Sequence, residues 1–205
     1  MNHKTILMAA AGILAASALS PAQAGDYRAQ ALAMMKRDFH TRGIAGADRL
    51  EQDAVQAICN RTSDKPPEAL AKILQQDQME TIRWPSDGKY LGDWQKGEKI
   101  AQSGKGMTWK DKPGVPGGGG CYNCHQIGPQ TTSFGTLGPT LYQFGKIRGY
   151  GIDNQKYVWG KIWNSKATNL CSNMPRFGHS GSLTEAQIRD LTALLLDPKS
   201  PVNSQ

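Results

Sequence analysis

The stretch that most constrains this chain is Cys121-Tyr122-Asn123-Cys124-His125, which follows directly on the four glycines Gly117 to Gly120. Two thiols three positions apart can each close a thioether to one vinyl group of a haem. The histidine after the second thiol then falls beneath the iron as its proximal ligand. A haem held this way also adds apolar surface for the core to bury.

Two other readings use the same residues. Half of a zinc site would need a second ligand pair at matching spacing, and the remaining cysteines, Cys59 and Cys171, stand alone and far apart. A thioredoxin-type dithiol expects a βαβ setting, whereas the residues upstream are glycine and proline with no apolar strand. The expectation is therefore one covalently bound haem c, attached through Cys121 and Cys124, with His125 on the iron.

The N-terminus supports export. Lys4 supplies a positive charge, Ile6 to Leu19 is an uncharged run dominated by Ala, Leu and Ile, and Ala22-Gln23-Ala24 fits a small-x-small cleavage pattern. The run is too short and Ala-rich to span a membrane comfortably, and no other 18-residue apolar stretch exists. Residues 1–24 are expected to be a signal peptide removed after Ala24, placing the mature protein in the periplasm. The net charge is +7, and Lys4 of the leader contributes to it. The moderately basic remainder suits an acidic partner or an anionic substrate. Lys and Arg are scattered rather than clustered, which argues against nucleic acid.

Residues 25–89 read as a helical arm without a chemistry motif. Leu50, Ala54, Ala57 and Ile58 fall on one face of a helix, and Pro66-Pro67 opens a second one with Leu70, Ile73 and Leu74 on its apolar side. Met34 and Met35 read as packing residues, and His40 as a surface residue. Trp84-Pro85-Ser86-Asp87-Gly88 breaks the pattern and marks a boundary. Residues 90–205 then form the domain that holds the motif. Asp93 caps a helix through about Ser103, on which Gly97 allows a close crossing with the last helix. Gly104 to Gly120 is a loop, either a flexible linker or bare backbone passing close to a haem edge.

Beyond the motif, Gly138-Pro139 is a turn whose proline carbonyl is placed to accept the Nδ1–H of His125, fixing the ring from outside the ligand set. Residues 154–164 read as a helix bearing Tyr157, Trp159 and Trp163, which are either walls for a porphyrin or ordinary core. In Asn173-Met174-Pro175-Arg176-Phe177-Gly178, a thioether on a proline-stiffened loop is a natural sixth iron ligand. Met107 and His179 compete for that position. The chain closes with a helix capped by Thr184 and Gln187, burying Ile188, Leu191, Leu194 and Leu195 and stopped by Asp197-Pro198. Strand content should be near zero, so the fold class is all-α. Two cysteines left over in an oxidising compartment ordinarily pair, which makes Cys59–Cys171 a candidate disulfide. A free Cys171 thiol near Met174, or pairing with other partners, are the alternatives.

With those residues placed, the chain resembles a class I c-type cytochrome over residues 90–197, carried by Cys121, Cys124 and His125, Gly138-Pro139, Met174-Pro175 and the capped last helix. Two features differ from that pattern. The helix crossing has Ala101 and Leu194 where aromatics are usual, and the N-terminal arm is an addition. More narrowly, the arm, the glycine-rich approach to the motif, Gly138-Pro139-Thr140-Leu141 and Met174-Pro175-Arg176-Phe177-Gly178 together resemble the SoxX family, the monohaem subunits of SoxAX cytochromes. That resemblance implies a class I cytochrome c fold with a helical extension, Cys121 and Cys124 as haem attachment points, and His125 and Met174 as axial ligands. It also implies a heterodimer with a SoxA-type haem subunit, working as an L-cysteine S-thiosulfotransferase on thiosulfate and the cysteine of a SoxYZ-type carrier. Electrons would pass through this chain to a small cytochrome c, and no catalytic residue carries over to it. The alternatives are a freestanding periplasmic electron carrier, or a haem enzyme or gas sensor in which Met174 is displaceable.

Overall fold

Residues 27–128 and 133–203 are described by a computed structural model, and the regular elements among them are helices; the one extended pairing is an isolated bridge between Arg42 and Ala45. The signal-peptide reading of residues 1–24 lies outside the described residues. The chain divides into two compact units, residues 1–38 and 39–205. Of the first, the described part is α1 (Tyr27–Asp38), which buries none of its side chains. Met34, expected to pack, is exposed there.

The second unit begins with an exposed His40 and a short 3-10 turn, Ala47–Leu50. Helix α2 (Ala54–Arg61) starts later than the apolar periodicity suggests, because Asp53 accepts the Gln56 N–H while the Gln56 side chain accepts the Asp53 N–H. This capping box leaves Leu50 off the helix and turns a different face inward. Val55 and Cys59, one turn apart, are the buried residues of α2. They pack with Leu170, and α3 (Glu68–Glu80) adds Ala71 and Leu74 to the same small core. Ile73, expected on that side, is 61% exposed. It lies a hundred degrees around the helix from Leu74, outside the stripe that faces Val55.

The main core is organised by two capped helices. Asp93 accepts from the backbone of Gln95 at 2.9 Å and Lys96 at 3.4 Å to start α4 (Trp94–Gln102). Thr184 and Gln187 form the expected capping box at the head of the last helix (Glu185–Leu196), which is α7 below. The two cross closely at Gly97, where a Cβ would overlap the Asp190 carbonyl, and Ala101 and Leu194 are both almost fully buried beside that crossing. Between them in sequence lie α5 (Phe144–Arg148) and α6 (Ile152–Trp163).

Trp159 on α6 is fully buried and stacks on Trp163, with ring centroids 5.9 Å apart. Their indole N–H groups donate to the carbonyls of Arg83 and Thr81 at 2.9 and 3.1 Å. Ile82 and Tyr90 enter the same core cluster. The stretch 81–90 is thereby fastened along α6. At the other end, Asn203 accepts the Gly145 N–H and donates to the carbonyls of Leu195 and Asp197, tying the C-terminal turn to α5 and α7. Among the described residues no helix is long and apolar enough to cross a membrane.

Candidate cofactor-attachment site

The four glycines are held rather than loose. The N–H groups of Gly118, Gly119 and Gly120 donate to Lys105, Ile100 and Ser103 at 2.7–2.8 Å, while the Gln187 side chain donates to the Gly117 carbonyl at 2.7 Å. The run is zipped onto the C-terminal end of α4 and the head of α7. It delivers the chain into a 3-10 turn, Cys121–Asn123, closed by donation from Cys124 and His125 to the Cys121 carbonyl at 3.1 and 2.9 Å. Cys121 and Cys124 both carry free thiols on this turn. Cys121 is partly accessible as a residue, but its sulfur is enclosed, and burial pushes the thiol up to about 12. A dithiol catalyst needs the opposite shift, toward the thiolate.

His125 is oriented by the following loop. Its Nδ1 lies 2.7 Å from the Pro139 carbonyl, and a carbonyl can only accept, so the proton sits on Nδ1. Nε2 is then the nitrogen with a lone pair, and among the described residues it has no hydrogen-bond partner. Gly138 lies against the imidazole, so close that a Cβ would clash with three of its ring atoms. Its N–H donates to the Cys124 carbonyl at 2.8 Å, and the Gly135 N–H to the Tyr122 carbonyl at 2.8 Å. The loop therefore runs back along the thiol turn.

Met174 packs, half-buried, against the same core cluster as Cys121, Tyr122, Leu141 and Phe144. Its carbonyl accepts from Ser165 Oγ at 2.6 Å. The two rivals differ in setting. Met107 is exposed on the 104–120 loop with its carbonyl held by Arg49 at 2.6 Å. His179 is exposed, and its N–H is tied to the Trp163 carbonyl at 3.0 Å. Trp159 is core, held against the 81–90 stretch, and Tyr157 is 39% exposed. A half-open cavity of about 190 Å³ beside Tyr157, lined also by Met79, Ile82 and Trp84, shares no residue with the thiol turn.

Cys59 and Cys171 form a disulfide, so the free-thiol alternative for Cys171 does not hold. Asp64 approaches both sulfurs, but sulfurs bonded to each other do not offer thiolates to a metal. Among the described residues no other group of three such side chains gathers. The candidate donors are the free thiols of Cys121 and Cys124, the imidazole of His125 with one nitrogen pinned, and the half-buried thioether of Met174. These are residue types that could hold a covalently attached haem. Sequence reasoning missed the ties of the Met174 loop. Arg176 meets Asp53 and Gln78 across 123 and 98 residues, a separation that no local pattern announces.

The chain belongs to the same family as an uncharacterized lipoprotein of Aquifex aeolicus (strain VF5), with which it is 38% identical over 157 residues, covering 74% of this chain and 73% of the relative. No family model matches the chain.

Proposed function

We propose that this protein is a monohaem c-type cytochrome that transfers electrons as a subunit of a thiosulfate-oxidising SoxAX complex. The observation that carries the haem reading is the paired arrangement at the thiol turn. Cys121 and Cys124 are free while Cys59 and Cys171 are bonded, and the next residue, His125, has its Nδ1 pinned by the Pro139 carbonyl. Each thiol would add across one vinyl group, sulfur to one carbon and hydrogen to the other, so attachment consumes no oxidant or reductant.

When bound, haem supplies a one-electron couple at iron. The protein's own residues do the rest. Cys121 and Cys124 would hold the group, His125 would offer Nε2, and the Pro139 carbonyl fixes the orientation of the ring. Met174 would offer its thioether as the second protein ligand to the iron, an arrangement that suits electron transfer. The class I cytochrome c fold, with residues 25–89 as a helical extension, belongs to the same reading. The α4–α7 crossing and the order of thiol turn, proline loop and methionine loop support it.

The sulfur-oxidation assignment rests on the sequence resemblance. It makes the chain the electron-transferring part of an L-cysteine S-thiosulfotransferase, paired with a SoxA-type haem subunit that acts on the SoxYZ-type carrier, and donating to a small cytochrome c. Export to the periplasm follows from the leader, and the relative's name, a lipoprotein, supports export as well.

The haem reading is tested by the haem content of the protein purified from an export-competent host. One covalent haem per chain is expected, and none after Cys121→Ala/Cys124→Ala; a parent free of haem would falsify it. The sixth ligand is read from the far-red Met–iron absorption of the ferric protein, lost in Met174→Ala. Purification from its native periplasm addresses the partner. A stable haem-bearing companion is expected, whereas a chain that stays monomeric would instead be a freestanding carrier.

A further inference from the structure

The loop that carries Met174 is fastened by residues far away in sequence, on both sides of the methionine. Three residues before it, Cys171 is bonded to Cys59 on α2. Two residues after it, Arg176 places Nη2 2.5 Å from Asp53 Oδ2 and donates through Nη1 to Gln78 Oε1 on α3 at 3.3 Å. Gln78 is itself held, since the Asn164 amide donates to its Oε1 at 3.1 Å and to Thr81 Oγ1 at 2.8 Å. Behind the loop, Ser165 Oγ donates to the Met174 carbonyl at 2.6 Å and Lys166 Nζ to the Leu170 carbonyl at 3.2 Å. Asn164, Ser165 and Lys166 are all buried. Asp53 links two structures with one carboxylate, because Oδ1 caps α2 while Oδ2 holds Arg176.

We propose that α2 and α3 clamp the Met174 loop, with Cys59, Asp53 and Gln78 as positioning residues that keep the thioether at the iron. This rests on the ligand assignment made above. A thioether is a neutral, weakly held ligand, so its occupancy depends on how much of its loop's freedom is already removed before it binds. The His125 side has its own support in the loop 135–139. The Met174 side borrows its rigidity from the added helices, which gives those helices a role at the haem site.

The test uses the full haem-loaded protein and imidazole, a small ligand that competes with Met174 for ferric iron. Removing the disulfide in Cys59→Ala/Cys171→Ala should tighten imidazole binding by about five-fold or more. Asp53→Asn is a milder variant, because Asn caps a helix as well as Asp and what is lost is the carboxylate oxygen that holds Arg176. It should tighten binding by about two- to five-fold, the range open to a partly exposed ion pair. Both variants should also show a weaker far-red Met–iron absorption. Asp87→Asn, which breaks an ion pair with Arg189 on α7, is the control and should bind imidazole like the parent. A parent lacking the Met–iron absorption overturns the ligand assignment and the clamp together. A parent that has it, with variants that bind imidazole no better than Asp87→Asn does, overturns the clamp alone.

Discussion

At His125 a single backbone acceptor decides which nitrogen is available. The Pro139 carbonyl accepts the Nδ1–H at 2.7 Å, leaving Nε2 with the lone pair. Gly138 makes this geometry possible, since the peptide before Pro139 must lie against the ring to bring the carbonyl into reach. A methyl group at 138 would clash with the imidazole, and the backbone cannot back away without giving up the Gly138–Cys124 hydrogen bond. Gly138→Ala is expected to cost about 1–3 kcal/mol by overpacking, measured as a lower denaturant midpoint. It should also reduce the fraction of exported chains that carry haem, by tilting His125 away from Pro139. A variant as stable as the parent, with full haem, would show that the ring does not depend on this contact. Pro139 was legible in the sequence because its partner sits only fourteen residues away on the loop that must return past the thiols. The Cys121 burial was not, since it arises from the core that the turn leans on.

The helices divide by how locally their boundaries are written. Asp93 at α4 and Thr184–Gln187 at α7 are caps, and caps act within one turn, so sequence alone placed both helices correctly. Gly97 was legible for a related reason: a glycine inside an amphipathic helix implies a close neighbour, here the Asp190 carbonyl. The inward face of α2 was misread because Asp53 starts the helix after Leu50, and because the disulfide at Cys59 draws the Val55–Cys59 side inward. Tryptophans 159 and 163 carried no local sign that they would anchor residues 81–83 by their indole N–H groups. The crossing at Gly97 gives a prediction with a clear sign. In an exposed helix, Gly→Ala would stabilise by about 1 kcal/mol through propensity. At position 97 the overlap with backbone outweighs that gain, so Gly97→Ala should instead lower the melting temperature by roughly 2–8 °C. A rise in melting temperature would mean the helices can separate at no cost.

Across residues 39–205, stability is set by ties between segments distant in sequence. The disulfide spans 112 residues. In the chain-entropy model, closing a loop of that size stabilises the fold by about 4–5 kcal/mol, so Cys59→Ala/Cys171→Ala should shift the denaturant midpoint far more than Gly97→Ala does. A second tie responds to pH. Arg189 on α7 donates to both oxygens of Asp87 at 2.9 Å and to Glu185 at 2.6 Å, fastening the turn 84–90 to the last helix. The Arg189 guanidinium, with help from the Lys89 N–H, holds the Asp87 carboxyl down from 3.8 to about 2. Because the folded value lies below the unfolded one, this contribution is fully present above pH 4 or so and is lost as pH falls from there toward about 2. Asp87 is about half exposed, so solvent screening keeps the contribution modest. Asp87→Asn should therefore cost more near neutral pH, where the carboxylate of the parent is charged, than near pH 2, where the parent has lost that charge too. Melting temperatures recorded between pH 2 and pH 6 should fall less steeply for the variant than for the parent. Parallel curves would mean that Asp87 titrates alike in the folded and unfolded chain, and that Arg189 holds the turn by packing rather than by charge.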